Sequence, residues 1–181
     1  MRPSAPPRAC SSPPRRRVAY ADAMSYDISV AVDGAGRTVA IAPIEAFVEQ
    51  VLVAEGVEDA AVALLLADDE LLWRLNREHR DRDEPTDVLA FPAAEGDVFP
   101  SGDDEELPYL GDIAVSVGSV RRQAAEAGLG FEDELRHVIL HAVLHLLGYD
   151  HEVPADALAM GAREESLLGP GIHEASSHVD D

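Results

Sequence analysis

Apolar residues recur with two different periods along the chain, and the two periods separate strands from helices. At 28–32 every second residue is apolar, which is typical of a half-buried strand. Helical spacing begins at Pro43 and stops at Gly56. A continuous apolar run at 61–67 indicates a central strand, and Asp68 can cap the helix that follows.

The second half of the chain continues in the same way. The pattern predicts strands at 88–91 and 111–117, and helices at 120–127, 131–147 and 154–168. The resulting order, βαβαββααα, predicts an α+β fold in which about five helices pack on a small, mixed, four-stranded sheet.

Both ends of the chain differ from its centre. Residues 1–23 are rich in Pro, Ser, Ala and Arg and lack the apolar stretch of a signal peptide. They are interpreted as a disordered basic extension or a mis-started terminus, with Met24 as the true start. Residues 170–181 are interpreted as a frayed tail. One hydrolase domain is predicted for 24–169, with an acidic loop at 93–108.

The charge is strongly acidic and unevenly distributed. All 14 basic residues are arginine, and from Met24 onward nine arginines stand against 34 acids. Such a surface disfavours non-specific binding of nucleic acid, so any RNA must be held by a local group of arginines. No apolar run reaches the roughly 20 residues of a membrane span, and the single cysteine fits a reducing compartment. A soluble, cytoplasmic protein is therefore expected.

Three histidines near the end of the longest predicted helix have the spacing of a metal site. His141 and His145 share one helical face, and Gly148 can take the left-handed conformation and turn the chain so that His151 approaches them. Three neutral imidazoles with an open fourth position suit zinc first, with nickel, copper and iron also compatible. Because zinc lowers the pKa of water to about 7, a hydrolase is predicted. His137, one turn earlier, is expected to support a ligand or to pack.

The same offsets match the metzincin peptidase pattern H-E-x-x-H-x-x-G-x-x-H with one departure. Ala142 stands where the peptidases have the glutamate that acts as general base. A zinc peptidase would lack that base, and it is kept as an alternative function.

A polar stretch upstream bears on the substrate. Arg77, Arg80 and Arg82 lie just ahead of Pro85-Thr86-Asp87, and guanidinium groups match phosphate oxygens. The equally weighted interpretation is that these arginines pair with the acids beside them on a solvated loop.

Three segments together resemble the bacterial YbeY family, over roughly residues 24–168. They are Leu75-Asn76 with Arg80 and Pro85 to Pro92, then Leu110-Gly111-Asp112-Ile113, and finally His141 to His151 in the pattern H-A-x-L-H-L-L-G-Y-D-H. The family usually has glycine at the position of Ala142, which is a small-for-small change.

The resemblance implies a metal-dependent, single-strand-specific endoribonuclease in maturation of the 16S rRNA 3′ end and in ribosome quality control. Its partners would be rRNA precursor and the small ribosomal subunit or its proteins. It also implies that His141, His145 and His151 are zinc ligands and that Arg80 is a functional residue near the metal. Arg80 would stabilise charge on the non-bridging phosphate oxygens, with water or the RNA 2′-hydroxyl as nucleophile. A non-catalytic assembly factor is a further alternative.

Overall fold

The computed structural model describes residues 24–93, 107–149 and 153–169. The predicted extension at 1–23, most of the acidic loop and the tail at 170–181 lie outside the described residues. So do Asp150 and His151.

Four strands and five α-helices occur in the described ranges, in the predicted order. The strands are β1 (Ser25–Val32), β2 (Asp59–Ala67), β3 (Val88–Pro92) and β4 (Tyr109–Ser116). The helices are α1 (Ala42–Ala54), α2 (Asp69–Arg80), α3 (Val117–Ala127), α4 (Phe131–Leu146) and α5 (Pro154–Leu168). The predicted α+β fold is confirmed. A short 3-10 helix, Gly34–Thr38, follows β1. None of the helices in these ranges has the length and apolarity to cross a membrane.

The strands form one mixed sheet in the order β1-β2-β4-β3, in which only β3 is antiparallel to its neighbour. Val62, Leu64 and Leu66 of β2 belong to the core formed with α1 and α4, whereas Leu65 and Ala67 pack with α2 on the opposite face. Because β2 is covered on both faces, its sequence is a continuous run of apolar residues.

The structure places part of the polar stretch in α2, where one of the two sequence interpretations expects a solvated loop; beyond the helix, Arg82 pairs with Glu84 at 3.5 Å, as that interpretation expects. The helix runs on through Arg80 and ends at Asp81, whose φ of 55° is left-handed. The side chain of the buried Asn76 donates from Nδ2 to the Glu84 carbonyl at 2.9 Å and so holds the following segment against the helix. Arg77 and Arg80 therefore lie in the last helical turn, where cations interact favourably with the helix dipole, rather than on a loop.

Candidate metal centre

His141 and His145 face each other from successive turns of α4. Their Nε2 atoms are 3.0 Å apart, and their ring planes meet at 78° with centroids 4.6 Å apart. Leu140 and Leu144, each one residue before a histidine, are fully buried in the core, which fixes the rotation of the helix. The structure thus brings together two of the three predicted ligands.

Each of these imidazoles has an oxygen acceptor at its other nitrogen. His141 Nδ1 lies 2.8 Å from Glu164 Oε1, and His145 Nδ1 lies 3.0 Å from the carbonyl oxygen of Tyr149. A carbonyl or an ionised carboxylate can only accept a hydrogen bond, so both Nδ1 atoms carry protons. The Nε2 lone pairs of the two neutral rings therefore point into the same small space.

Two lone pairs that face each other at 3.0 Å repel unless a cation lies between them. Zinc–nitrogen bonds are about 2.0–2.1 Å long, so two nitrogens at this separation can share one ion. The donor set therefore fits the predicted metal. The third predicted ligand, His151, lies outside the described residues, and within 24–93, 107–149 and 153–169 no three His, Cys, Asp or Glu side chains are grouped closely enough to hold an ion.

The chain reverses direction directly after these histidines. Gly148 has a φ of 89°, and the Tyr149 N–H donates to the Leu144 carbonyl at 3.0 Å. This is the glycine turn that the spacing predicts. It returns the Tyr149 carbonyl to the ring of His145.

Glu164 is a buried carboxylate that sequence reasoning missed. It is 3% exposed, and its Oε2 lies 3.9 Å from Nε2 of the buried His137 while Oε1 accepts from His141. Burial raises the pKa of this carboxyl, but interactions with His137 and His141 outweigh burial and bring the pKa to about 2. The ionised carboxylate therefore holds the proton on His141 Nδ1. In the sequence, Glu164 stands four residues after Met160 and three after Gly161, which are also buried. This helical spacing was the signal that could have indicated the burial of Glu164.

A second set of contacts fixes the turn that supports His145. The Tyr149 hydroxyl donates to Glu55 Oε2 at 2.9 Å, and this bond raises the pKa of the tyrosine. Arg163 of α5 donates from Nε to the same carboxylate and from Nη2, at 2.7 Å, to the last carbonyl of α1. α5 therefore contributes to the support of both imidazoles.

Arg80 lies at the end of α2, beside β3. Its Nη2 donates to the Ala90 carbonyl at 2.7 Å, and its guanidinium carbon is 5.8 Å from the ring centroid of Phe91. A guanidinium has five N–H donors, and this bond uses one of them. The expected role of Arg80 in catalysis stays a prediction.

The carbonyl that Arg80 binds belongs to the edge strand. Backbone hydrogen bonds join β3 and β4 at positions 87 and 93, so the alternation of an antiparallel ladder turns the carbonyls of Val88 and Ala90 away from the sheet. Thr86 Oγ1 donates to the Val88 carbonyl at 3.0 Å. Side chains of two motif residues, Arg80 and Thr86, thus occupy outward acceptors on a strand that could otherwise pair with another chain.

The geometry defines a class of protein: a small mixed α+β fold that carries a pair of facing histidines as a candidate metal site. Comparison with known proteins agrees with it. The Endoribonuclease YbeY family profile matches residues 35–170. Endoribonuclease YbeY of Rhodospirillum rubrum is 40% identical over 158 residues, which cover 80% of this chain and 78% of the relative. Endoribonuclease YbeY of Roseiflexus sp. is 42% identical over 139 residues, covering 71% and 87%.

A solved structure has a similar fold. The solution structure of a Thermotoga maritima protein is similar with a TM-score of 0.52 and 29% sequence identity, over 85% of this chain and 99% of that chain. The chain belongs to the YbeY endoribonuclease family, which confirms the resemblance found in the sequence.

Proposed function

We propose that the protein is a zinc-dependent endoribonuclease that cleaves single-stranded rRNA precursor in the cytoplasm, at the 3′ end of 16S rRNA, and acts in ribosome quality control. Membership of the YbeY endoribonuclease family makes the chain an RNA-cleaving hydrolase, as the sequence predicts. The identity of the metal, the particular RNA and the small-subunit partners are the parts that we add.

The observation that carries the proposal is the convergence of two Nε2 atoms whose rings are both held by acceptors at Nδ1. His141, His145 and, from its spacing, His151 would hold the zinc ion. When bound, zinc supplies Lewis acidity, which polarises a phosphoryl oxygen and makes a nucleophile available near neutral pH.

The other residues of the site would position the two imidazoles and stabilise negative charge on the substrate. Glu164 and the Tyr149 carbonyl keep protons on Nδ1, so that both imidazoles present lone pairs rather than N–H groups to the metal. Arg80 would stabilise negative charge on the non-bridging oxygens through the guanidinium donors that the Ala90 carbonyl does not use.

The burial of Ala142 disfavours the peptidase alternative. This residue occupies the position of the peptidase glutamate, and it is 0% exposed within the core cluster that includes Val138 and Val143. A side chain that packs in the core cannot deliver a base to a substrate.

The test compares the zinc-loaded protein with its His145→Ala variant on single-stranded rRNA precursor and maps the cut ends. We expect the wild type to cut, chelation to abolish cutting, zinc to restore it, and the variant to be inactive. A 2′,3′-cyclic phosphate or 3′-phosphate would assign the attack to the RNA 2′-hydroxyl, and a 5′-phosphate would assign it to water.

Equal cleavage by the variant, or cleavage that survives chelation, would contradict the proposal. Normal 16S maturation in cells that carry only His145→Ala would favour the non-catalytic assembly factor instead.

A further inference from the structure

The exposed end of α2 concentrates positive charge in an otherwise acidic protein. Residues 73–82 contain four of the nine arginines that follow Met24, and only two acids, Glu78 and Asp81. All four arginines are exposed; they are Arg74, Arg77, Arg80 and Arg82. A local surface of this kind is what an acidic protein needs in order to hold a polyanion.

Arg77 and Arg80 differ in their contacts from Arg82, which pairs with Glu84 at 3.5 Å, and from most of the arginines elsewhere. Elsewhere four arginines face carboxylates, in the pairs Arg37–Asp33, Arg122–Asp69, Arg136–Asp133 and Arg163–Glu55. Among the described residues, Arg77 and Arg80 form no ion pair with a carboxylate; they contact an aromatic ring and a backbone carbonyl. Their charge is therefore not neutralised within the described ranges and can be offered to phosphate.

Aromatic rings are interleaved with these cations. Trp73, Arg77 and Arg80, here called the α2 stripe, follow one another at helical spacing along one side of α2. The guanidinium carbon of Arg77 lies 4.7 Å from the centroid of the Trp73 ring, which is partly exposed. His79 lies edge-on to Phe91 with centroids 5.5 Å apart. Contacts of this kind restrict the side chains before a ligand binds, which lowers the entropy cost of binding.

We propose that the α2 stripe is a docking surface for the single-stranded part of the RNA substrate. The inference rests on the proposed function, to which it adds how the substrate is held. Guanidinium groups bind phosphate oxygens, and unpaired bases stack on aromatic rings or guanidinium planes. Because a duplex hides its base faces, this combination selects single strands.

The α2 stripe ends at the edge strand that lies between α2 and the helix of the two histidines. α2 packs on one face of β3, and α4, which carries His141 and His145, packs on the other face. Arg80 reaches the boundary between the two faces, since it binds the outward carbonyl of the edge strand. A nucleic acid strand that is held by Trp73 and Arg77 can therefore pass over β3 to the histidine side.

Trp73 makes the proposal directly testable, because it is the only tryptophan in the chain. The full chain, kept metal-free with a chelator so that the RNA stays intact, is titrated with a labelled single-stranded oligoribonucleotide of precursor sequence. We expect quenching of the Trp73 fluorescence that saturates with the same Kd as the anisotropy of the label. Added salt should reverse both signals.

Matched variants locate the surface. Arg77→Gln should weaken binding several-fold and reduce the dependence of log K on log salt by about 0.7 for each phosphate that is no longer neutralised. Arg37→Gln removes the same charge far along the chain from α2. It should change neither the affinity for RNA nor the dependence of the affinity on salt. Trp73→Leu should weaken binding by about tenfold, and Trp73→Phe, which keeps an aromatic ring, should recover most of it. In the zinc-loaded enzyme these substitutions should raise KM and leave kcat nearly unchanged.

Anisotropy that reports binding while the Trp73 fluorescence stays constant would overturn the proposal. Equal weakening of binding in Arg77→Gln and Arg37→Gln would also overturn it. So would quenching by polyglutamate at the same charge concentration, because the surface would then fit an acidic protein partner. Failure of the proposed function has a different signature: RNA would bind through the α2 stripe, and zinc would not cause it to be cut.

Discussion

Replacement of Glu164 by glutamine is expected to weaken zinc binding without unfolding the protein. Glutamine has nearly the same shape, so the change removes only a charge and one acceptor at a position that is 3% exposed. The amide oxygen that remains can serve His141 or His137, and the amide N–H₂ must then face the other ring. When the N–H₂ faces His141, that ring has no acceptor for a proton on Nδ1, and it can turn an N–H toward the metal position.

The structure sets the size of the effect. The contact between His141 Nδ1 and Glu164 is short, at 2.8 Å, and charge-assisted. Loss of such support behind a metal-binding histidine costs about 10–100-fold in metal affinity, which corresponds to about 1.4–2.8 kcal/mol. Loss of a negative charge beside a divalent cation acts in the same direction.

Competition between metal-free protein and a chromophoric zinc chelator measures the affinity. Glu165→Gln is the matched control, because it makes the same chemical change one residue further along α5, at an exposed position. Thermal unfolding of the metal-free variants separates a positioning effect from a loss of fold. If folded Glu164→Gln bound zinc as tightly as Glu165→Gln, the reasoning would be refuted.

Three further substitutions test the contacts around the site. Tyr149→Phe removes the hydroxyl that binds Glu55 but keeps the carbonyl that supports the histidine. Denaturant unfolding should show a loss of about 1 kcal/mol, and an unchanged midpoint would contradict it. Burial raises the pKa of Asp69, but hydrogen bonds led by that from Arg122 outweigh burial, and the net pKa is lowered. A lowered folded-state pKa gives stability that is present near neutral pH and lost as the pH falls through it. Asp69→Asn should therefore be less stable than wild type at pH 7 and converge with it in acid; a constant difference would exclude this origin. Thr86→Val exposes an outward carbonyl of β3, so light scattering on heating should begin at a lower temperature than for wild type; scattering that begins at the same temperature would show that this contact does not protect the edge.

Strands and helices with local apolar patterns are predictable from this sequence, and contacts that depend on the folded chain are not. β2 reads as a central strand because its apolar run fits burial on both faces. The last turn of α2 has no apolar residue after Leu75 to reveal it. The contact that holds the following segment against this turn, from Asn76 to the Glu84 carbonyl, exists only once the chain has folded back.

In the candidate site, too, some features can be predicted from the sequence and others depend on the folded chain. Helical spacing predicts that His141 and His145 share a face, and the structure confirms it. Spacing does not predict which nitrogen of each ring faces inward, because that depends on Glu164, a residue that looks in the sequence like another solvent-exposed acid. The roles of His151 as a ligand and of Arg80 in catalysis stay predictions.

The position of α5 in the chain also determines when the proposed metal centre could form during synthesis. α5 follows α4 along the chain, so a nascent polypeptide that has emerged only through α4 exposes both imidazoles without the carboxylate that fixes the His141 tautomer. High metal affinity, and the proposed nuclease activity with it, would arise only after α5 has emerged and packed. Stalled or truncated products that lack α5 would then be unable to cleave RNA.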